Sequence, residues 1–250
     1  MEVLICNVAA APVRAEPAHR SEMTNQLLFG EAVEVKERRD EWLFVRSFYD
    51  NYEGWITEHL LENFRGSWKG DAIAAEVLNP LFINNKKVNI PMGSFLPGYN
   101  DATKKLWNEN LRYDGKLNNE NSLHRIEHLE TIANEFLHAP YLWGGKTCMG
   151  IDCSGFAQTC FKMIEIKLPR DAWQQEMEGE EVRYSDVKKG DLAFFHNEKA
   201  RVTHVGLMLD GNKIIHASGK VRIDVVDEEG IIHSENGKRT HQLKSFKRYF

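Results

Sequence analysis

The hydrophobic pattern of the chain changes near residue 120. Before that point, short runs of β-branched and aromatic residues alternate with polar or Gly-containing segments, which is typical of small all-β barrels. After it, apolar residues first recur with a period near 3.6 and then form strand-like runs, an order that indicates an α+β domain. We therefore predict an α+β domain preceded by two small all-β barrels. The 42% hydrophobic content of the 250 residues is sufficient for several buried cores.

Residues 1–64 are predicted to form the first barrel. Its strand-like runs lie at 2–8, 32–38, 42–47 and 54–57. A second, fainter all-β unit is predicted over residues 65–120, with strands at 74–77, 87–90 and 92–97 that are broken by Asn-Pro, Pro-Met-Gly and Pro-Gly turns. A long structured linker is the alternative for this unit. It is less favoured because irregular loops of such length are uncommon in compact proteins.

Residues 121–250 are predicted to form the α+β domain. Ser122 is the expected N-cap of a first helix, which Pro140 ends. The apolar face of this helix contains Leu123, Ile126, Leu129, Ile132, Ala133, Phe136 and Leu137. A second helix is expected over 153–164, with Asp152 as its N-cap. Strands are expected at 191–195, 202–209, 213–217 and 221–226.

Cys153, at the expected start of the second helix, is the candidate nucleophile. The unsatisfied backbone N–H groups and the dipole at a helix start lower the pKa of a thiol, and a thiolate attacks a carbonyl carbon far better than a thiol does. The same N–H groups could donate to the oxyanion formed in that attack. The alternative is a buried packing residue, which the surrounding glycines disfavour. Cys6 and Cys160 are predicted to be such packing residues, and free thiols are expected throughout.

Two histidines on neighbouring predicted strands are candidates for a base and its orienting residue. His204 is the expected general base, because an imidazole pKa near 6.5 suits proton transfer from a thiol, and His216 would orient it. If a three-residue loop at 210–212 connects the strands, Gly206 lies opposite His216 and both histidines share one face. A two-residue turn would place them on opposite faces. The catalytic interpretation therefore requires the longer loop.

Other classes of function are less favoured. A zinc site formed by Cys148, Cys153, His204 and His216 is an alternative, but its spacings are wider than those of structural zinc sites, so neither a metal nor another cofactor is expected. The formal net charge of −5 argues against a nucleic-acid partner. No apolar run reaches the roughly 20 residues of a membrane-spanning helix, so no membrane partner is expected. No signal peptide is visible, which favours a cytoplasmic protein unless a leader was removed, in which case it would be periplasmic or secreted.

An ordered series of motifs resembles the NlpC-type bacterial cell-wall cysteine peptidases. The motifs are Tyr141-Leu-Trp-Gly-Gly145, Asp152-Cys-Ser-Gly-Phe156, Leu168-Pro-Arg-Asp171, Gly190-Asp-Leu-Ala-Phe-Phe195, His204-Val-Gly and His216-Ala-Ser. The resemblance covers residues 122–250. It implies a papain-like fold and hydrolysis of peptidoglycan peptides between γ-D-glutamate and a diamino acid. It also implies Cys153 as the nucleophile, His204 as the base, His216 as the orienting residue and the Tyr141 hydroxyl as part of the oxyanion site.

The two N-terminal units resemble bacterial SH3 domains, in which glycine precedes tryptophan in a late strand, as Gly54-Trp55 does here. Family members with two such domains release L-Ala-γ-D-Glu from stem peptides that have a free L-Ala amine, in cell-wall recycling. The resemblance implies that the amine is bound by Glu22, Tyr52 and Asp152. Barrel packing is the alternative for Tyr52.

The resemblance also implies a pocket for the D-glutamate, shaped by Ser154, Arg170 and Asp171. Ala172 stands where the family commonly has serine, so one hydroxyl contact would be missing. A structural ion pair with Asp171 or Glu176 is the alternative for Arg170.

The favoured hypothesis is a monomeric cysteine endopeptidase whose partner is a murein peptide, cleaved at the amide between γ-D-Glu and diaminopimelate or lysine. Two alternatives remain open. One is a noncatalytic peptidoglycan-binding module in which Cys153 has no role. The other is a Cys/His amidase or acyltransferase of related fold.

Overall fold

The structure, a computed structural model, describes residues 2–66, 68, 72–118 and 126–250. These residues divide into two compact units. The first comprises the described residues before 119 together with Trp143–Thr147, and the second comprises the remaining residues from 126 onward. Both units consist mainly of strands with few helices. The domain boundaries at 64/65 and 120/121 stay predictions.

Seven antiparallel strands open the first unit, in the spatial order β3-β2-β6-β5-β4-β1-β7. In β2, Ala11 and Val13 are buried and their neighbours are half-buried, the alternation of a strand with one face on a core. Leu27 of β3 and Leu61 of β7 lie at opposite edges of the sheet but in the same buried cluster, so the sheet curves around one core. The strands are β1 (Val3–Cys6), β2 (Ala10–Arg14), β3 (Met23–Leu28), β4 (Ala32–Arg39), β5 (Trp42–Ser47), β6 (Glu53–Thr57) and β7 (Leu61–Asn63).

A smaller sheet follows in the same unit, formed by β8 (Leu78–Ile83), β9 (Lys86–Pro91) and β10 (Leu111–Tyr113) in the order β10-β8-β9. The predicted strands at 74–77 and 92–97 are wrong, since among their residues only Ala74 and Phe95 pair, each in an isolated bridge. The predicted Asn-Pro turn is also wrong, because Pro80 lies inside β8. Its carbonyl accepts from the Asp114 N–H at 3.4 Å, and proline needs no partner for the N–H it lacks.

The core of this smaller sheet includes Phe29 from the loop after β3, whose ring lies 5.2 Å from that of Trp107. A short strand, β11 (Lys146–Thr147), also belongs to the first unit. The Lys146 ammonium forms a buried ion pair with Glu31 at 3.2 Å. The side chain of Gln26 accepts from the Lys146 N–H at 2.8 Å, which fixes this segment in the unit.

The second unit contains three short helices, α1 (Leu129–Asn134), α2 (Cys153–Lys162) and α3 (Ala172–Glu176), and the two-residue strand β12 (Gly150–Ile151). The predicted helix through residue 137 is too long, because turns follow Asn134 and His138 has a positive φ of 67°. Ser122 and Leu123 lie outside the described residues. The predicted second helix is confirmed, and α3 was not predicted. None of the described helices is long and apolar enough to cross a membrane.

Seven strands complete the second unit in the order β13-β19-β14-β15-β16-β17-β18, and a further pairing of β18 with β19 closes six of them into a barrel. The four predicted strands are confirmed as β14 to β17, whereas β13, β18 and β19 were not predicted. Helix α2 packs against β15 and β16. The strands are β13 (Glu180–Val182), β14 (Leu192–His196), β15 (Val202–Met208), β16 (Lys213–Ser218), β17 (Lys220–Val226), β18 (Gly230–Ile232) and β19 (Arg239–Arg248).

Candidate active site

His204 on β15 and His216 on β16 lie side by side. The Leu209 N–H donates to the Lys213 carbonyl at 2.8 Å, so the loop between these residues is the three-residue segment 210–212. The predicted hairpin register is therefore confirmed, and the two histidines share one face. Nε2 of His204 lies 2.8 Å from Nδ1 of His216.

Gly206 allows this pairing because it lies opposite His216 and two residues from His204, on the face that both histidines share. A Cβ atom at this position would lie 2.6 Å from Cδ1 of Ile214 and 2.9 Å from Cβ of His216. Real Cβ atoms do not approach neighbours so closely. A larger residue would therefore displace the strand that carries His216.

Asp224 on β17 holds His216 from the other side. Oδ2 of Asp224 lies 3.0 Å from Nε2 of His216, and it also accepts from Arg222 Nε at 2.8 Å. Oδ1 accepts from the Ser234 N–H at 2.9 Å. Burial raises the pKa of the Asp224 carboxyl, but these hydrogen bonds outweigh burial and hold the pKa well below its usual range.

The ionised Asp224 fixes the tautomers of both histidines. A carboxylate only accepts hydrogen bonds, so Nε2 of His216 carries the proton and Nδ1 of His216 accepts. Nε2 of His204 must then be the donor to His216, which leaves the lone pair of His204 on Nδ1. Asp224 was not predicted from the sequence. Its only signal was the polar alternation of Arg222 and Asp224 in the strand that follows His216.

His241 on β19 stacks on His204, with ring centroids 4.2 Å apart and an interplanar angle of 25°. Burial, followed by the charges of His216 and His241, lowers the pKa of His204 well below 6.5. Burial, together with the charges of His216 and Arg222, lowers the pKa of His241 to about 4. All these imidazoles are therefore neutral near pH 7. No sequence motif marked His241.

Cys153 is the first residue of α2 and is 5% exposed. As predicted, Asp152 caps this helix, with Oδ1 accepting from the Gly155 N–H at 2.7 Å. The backbone of Val205, the residue after His204, forms a hydrogen bond with the Cys153 sulfur. The structure thus places the thiol beside the strand that carries His204.

The predicted lowering of the thiol pKa is wrong. Burial, and then the charge of Asp152, raise the pKa of Cys153 to about 12. The free-energy cost of removing a thiolate from water exceeds the stabilisation that the helix start provides, and the charge of the capping carboxylate opposes the helix dipole. Cys153 is therefore a neutral thiol in the resting protein. All four cysteines are free, and Cys6 and Cys160 are fully buried, as predicted.

Arg170 joins Asp152 and Ser154 beneath the helix start. The guanidinium donates to Oδ1 and Oδ2 of Asp152 at 3.0 and 2.7 Å and to Oγ of Ser154 at 2.9 Å, and Arg170 is 1% exposed. Asp152 was not among the ion-pair partners predicted for Arg170. Asp171 is the N-cap of α3, and its backbone N–H donates to Gln174 at 3.2 Å.

Tyr141 lies close to the same group. Its backbone N–H donates to the Gly219 carbonyl at 2.9 Å, and it bridges to Ile151, two residues before Cys153. Burial, and then the charges of Cys153 and Asp152, raise the pKa of Tyr141 well above its ordinary value. The phenol therefore stays protonated and can donate a hydrogen bond.

Glu22 and Tyr52 belong to the first unit. Glu22 accepts from Trp143 Nε1 at 2.7 Å, and the half-buried Tyr52 donates its backbone N–H to Asp50 at 3.1 Å. Their predicted roles in amine binding stay predictions. Within the described part of the chain, no group of three or more His, Cys, Asp or Glu residues is arranged to hold a metal ion.

Comparison with known proteins matches residues 138–239 to the NlpC/P60 family and residues 13–61 to a bacterial dipeptidyl-peptidase Sh3 domain. The chain is 31% identical to the γ-D-glutamyl-L-lysine dipeptidyl-peptidase of Bacillus subtilis, over 77% of this chain and 71% of the relative. It is 27% identical to dipeptidyl-peptidase 6 of Lysinibacillus sphaericus, over 90% of this chain and 92% of the relative.

Among solved structures, an NlpC/P60 family protein from Bacillus cereus superposes with a TM-score of 0.82 at 21% identity, over 99% of both chains. This likeness concerns the fold alone. Together with the Sh3-domain match, it confirms the predicted fold class, a papain-like α+β fold preceded by all-β structure that includes an SH3 domain, while the assignment of the second all-β unit as an SH3 domain stays a prediction.

Proposed function

Because the chain belongs to the NlpC/P60 family of peptidases, we propose that it hydrolyses the amide between γ-D-glutamate and a diamino acid in murein peptides, with Cys153 as the nucleophile. The observation that carries the proposal is the buried series of hydrogen bonds from His204 through His216 to Asp224, beside the strand that contacts the Cys153 sulfur. The name of the Bacillus subtilis relative, a γ-D-glutamyl-L-lysine dipeptidyl-peptidase, supports the choice of bond.

The first chemical step begins from two neutral groups. Because the pKa of Cys153 is raised to about 12 and that of His204 is lowered, the thiol proton moves to Nδ1 of His204 as the sulfur attacks the γ-carbonyl carbon. The resulting imidazolium donates to His216, which donates to the Asp224 carboxylate. This carboxylate stabilises the charge that develops on His204 in the transition state.

The carbonyl oxygen becomes an oxyanion in this step. The Tyr141 hydroxyl and the backbone N–H groups of the first turn of α2 are the donors available to it. His204 then returns its proton to the leaving amine, and the C–N bond breaks to give a thioester on Cys153. Water activated by His204 hydrolyses the thioester and regenerates the thiol.

The ion pair of Arg170 with Asp152 positions the nucleophile. A bidentate pair holds the cap rigidly, and the cap fixes the first turn of the helix that begins at Cys153. The guanidinium also neutralises much of the Asp152 charge, which would otherwise oppose an oxyanion beside the helix start.

The direct test uses L-Ala-γ-D-Glu-L-Lys and its diaminopimelate analogue, with mass spectrometry of the products. We expect release of L-Ala-D-Glu and the free diamino acid. The matched control is the isomer in which lysine is joined to the α-carboxyl of D-glutamate, which should not be cleaved. Equal cleavage of both isomers, or cleavage of neither, would contradict the proposal.

We further propose that the substrates are free stem peptides of cell-wall recycling, as predicted for a protein that binds the L-Ala amine. An ammonium that is held out of bulk water needs hydrogen-bond acceptors on the protein. An acetylated nitrogen in the same place would leave those acceptors unsatisfied. N-acetylation of the tripeptide should therefore lower kcat/KM by at least an order of magnitude. Unchanged turnover of the acetylated peptide would contradict a free-amine requirement.

A further inference from the structure

An open surface cavity of about 770 Å³ lies beside His241 in the second unit. It is built where β14 ends and where β15 and β19 begin, and its lining includes His196, Thr203 and Gln242. His241 also lines it, and the same ring stacks on His204 at 4.2 Å. His241 is therefore common to the cavity lining and to the stack on the proposed base.

Three charged side chains line this cavity. Lys199 and Arg239 supply two cations to the lining, and Glu198 supplies one carboxylate. Arg239 is already held by Asp227 at 2.6 and 2.8 Å. Lys199 is exposed, and within the described residues no carboxylate oxygen lies within 4.0 Å of its ammonium. Lys199 is thus the cation available to an anionic ligand.

The proposed reaction requires a place for the leaving group beside His204. The base that takes the thiol proton must later give it to the leaving nitrogen, so that nitrogen and its substituents lie against His204. The cavity shares no residue with the group formed by Asp152, Ser154 and Arg170 at the helix start. It is therefore separate from the residues predicted to contact the D-glutamyl half of the peptide.

We propose that this cavity binds the leaving diamino acid and that the Lys199 ammonium pairs with a carboxylate of that residue. The inference rests on the proposed function and deepens it, because it assigns the other half of the substrate to a site. An exposed ammonium pairs with a carboxylate weakly, so its contribution is to recognition of the peptide and not to the chemical step. It should therefore appear in KM, with kcat unchanged.

The test compares L-Ala-γ-D-Glu-L-Lys with its C-terminal amide, using the wild-type protein, Lys199→Met and the control Lys213→Met. Lys213 is exposed at the start of β16 and does not line the cavity. In wild type and Lys213→Met, amidation should lower kcat/KM roughly two- to fivefold, through KM. In Lys199→Met, kcat/KM for the free acid should fall by the same factor, and kcat/KM for the amide should equal that of the wild type.

Two outcomes separate the inference from the function on which it rests. If wild type and Lys199→Met cleave both peptides with the same preference for the free acid, the assignment of Lys199 and its cavity is wrong while the proposed function stands. If no protein cleaves either peptide, the proposed function fails and the inference fails with it.

Discussion

Replacing Asp224 with Asn tests the hydrogen-bonded series at the residue that sets its direction. The carboxylate accepts from His216 and Arg222 on one oxygen and from the Ser234 N–H on the other. An amide of the same shape can accept on one side only, since its NH₂ group donates. One side of the substituted amide must therefore face donors that it cannot satisfy.

The magnitude follows from the two possible orientations of the amide. With its oxygen toward His216, the amide still accepts from His216 and Arg222, and only the N–H of Ser234, an exposed residue, loses its acceptor. With its oxygen toward Ser234, the NH₂ group faces His216 and inverts the tautomers, which puts a proton on Nδ1 of His204 and removes the base. Since the neutral amide in either orientation no longer stabilises the charge that develops on His204, a loss of about 1–3 kcal/mol from the transition state should lower kcat/KM roughly 5- to 150-fold.

The assay is steady-state hydrolysis of L-Ala-γ-D-Glu-L-Lys by Asp224→Asn, with Asp210→Asn as the matched control. Asp210 lies in the loop after β15, and its side chain is 83% exposed, so the control should stay within about twofold of wild type. Circular dichroism and thermal unfolding establish that both variants are folded. A folded Asp224→Asn protein with wild-type kcat/KM would refute the assignment of the tautomers.

Three further results are expected. Because burial lowers the pKa of His204, this base stays neutral as the pH falls through 6.5. In a pH–rate profile, kcat/KM should therefore be constant near pH 6.5 and fall only at more acidic pH. A decline centred at pH 6.5 or above would contradict this. His241→Ala removes the stacked ring and admits water, and both changes raise the pKa of His204. The acid limb of the pH–rate profile should therefore move to higher pH, and kcat/KM should fall several-fold. An unmoved acid limb would argue against a role of His241 in holding His204. Arg170→Met leaves the buried Asp152 carboxylate without its ion pair, which should lower the free energy of unfolding, measured in urea, by about 3–5 kcal/mol. The control Arg183→Met, at an exposed position, should lower it by less than about 0.5 kcal/mol. Equal effects of the two substitutions would contradict a buried ion pair.

Features with a local cause could be predicted from the sequence. The start of α2 follows from the capping preference of Asp152, whose side chain satisfies a backbone N–H three residues later. The juxtaposition of His204 and His216 follows from strand alternation and the length of a single loop. Both depend on residues close together in the chain, so a local pattern contains the necessary information.

Features set by distant parts of the chain could not be predicted. His241 reaches His204 only because β19 pairs with β14 and with β18 and closes the barrel, and no spacing in the sequence indicates that closure. The pKa of Cys153 depends on burial by surrounding elements, which outweighs the helix start that the sequence does reveal. Pro80 is expected to break a strand because it has no backbone N–H. At its position in β8, however, the backbone only accepts a hydrogen bond through its carbonyl and is not required to donate one.

Turnover of L-Ala-γ-D-Glu-L-Lys by Cys153→Ala tests the central claim most directly. Cys148→Ala is the matched control, because Cys148 is a free, half-buried thiol five residues before the proposed nucleophile. If Cys153 forms the thioester, Cys153→Ala should release no L-Ala-D-Glu above the uncatalysed rate, while Cys148→Ala should retain activity near that of wild type. Release of L-Ala-D-Glu by a folded Cys153→Ala protein at a rate comparable to wild type would contradict the claim.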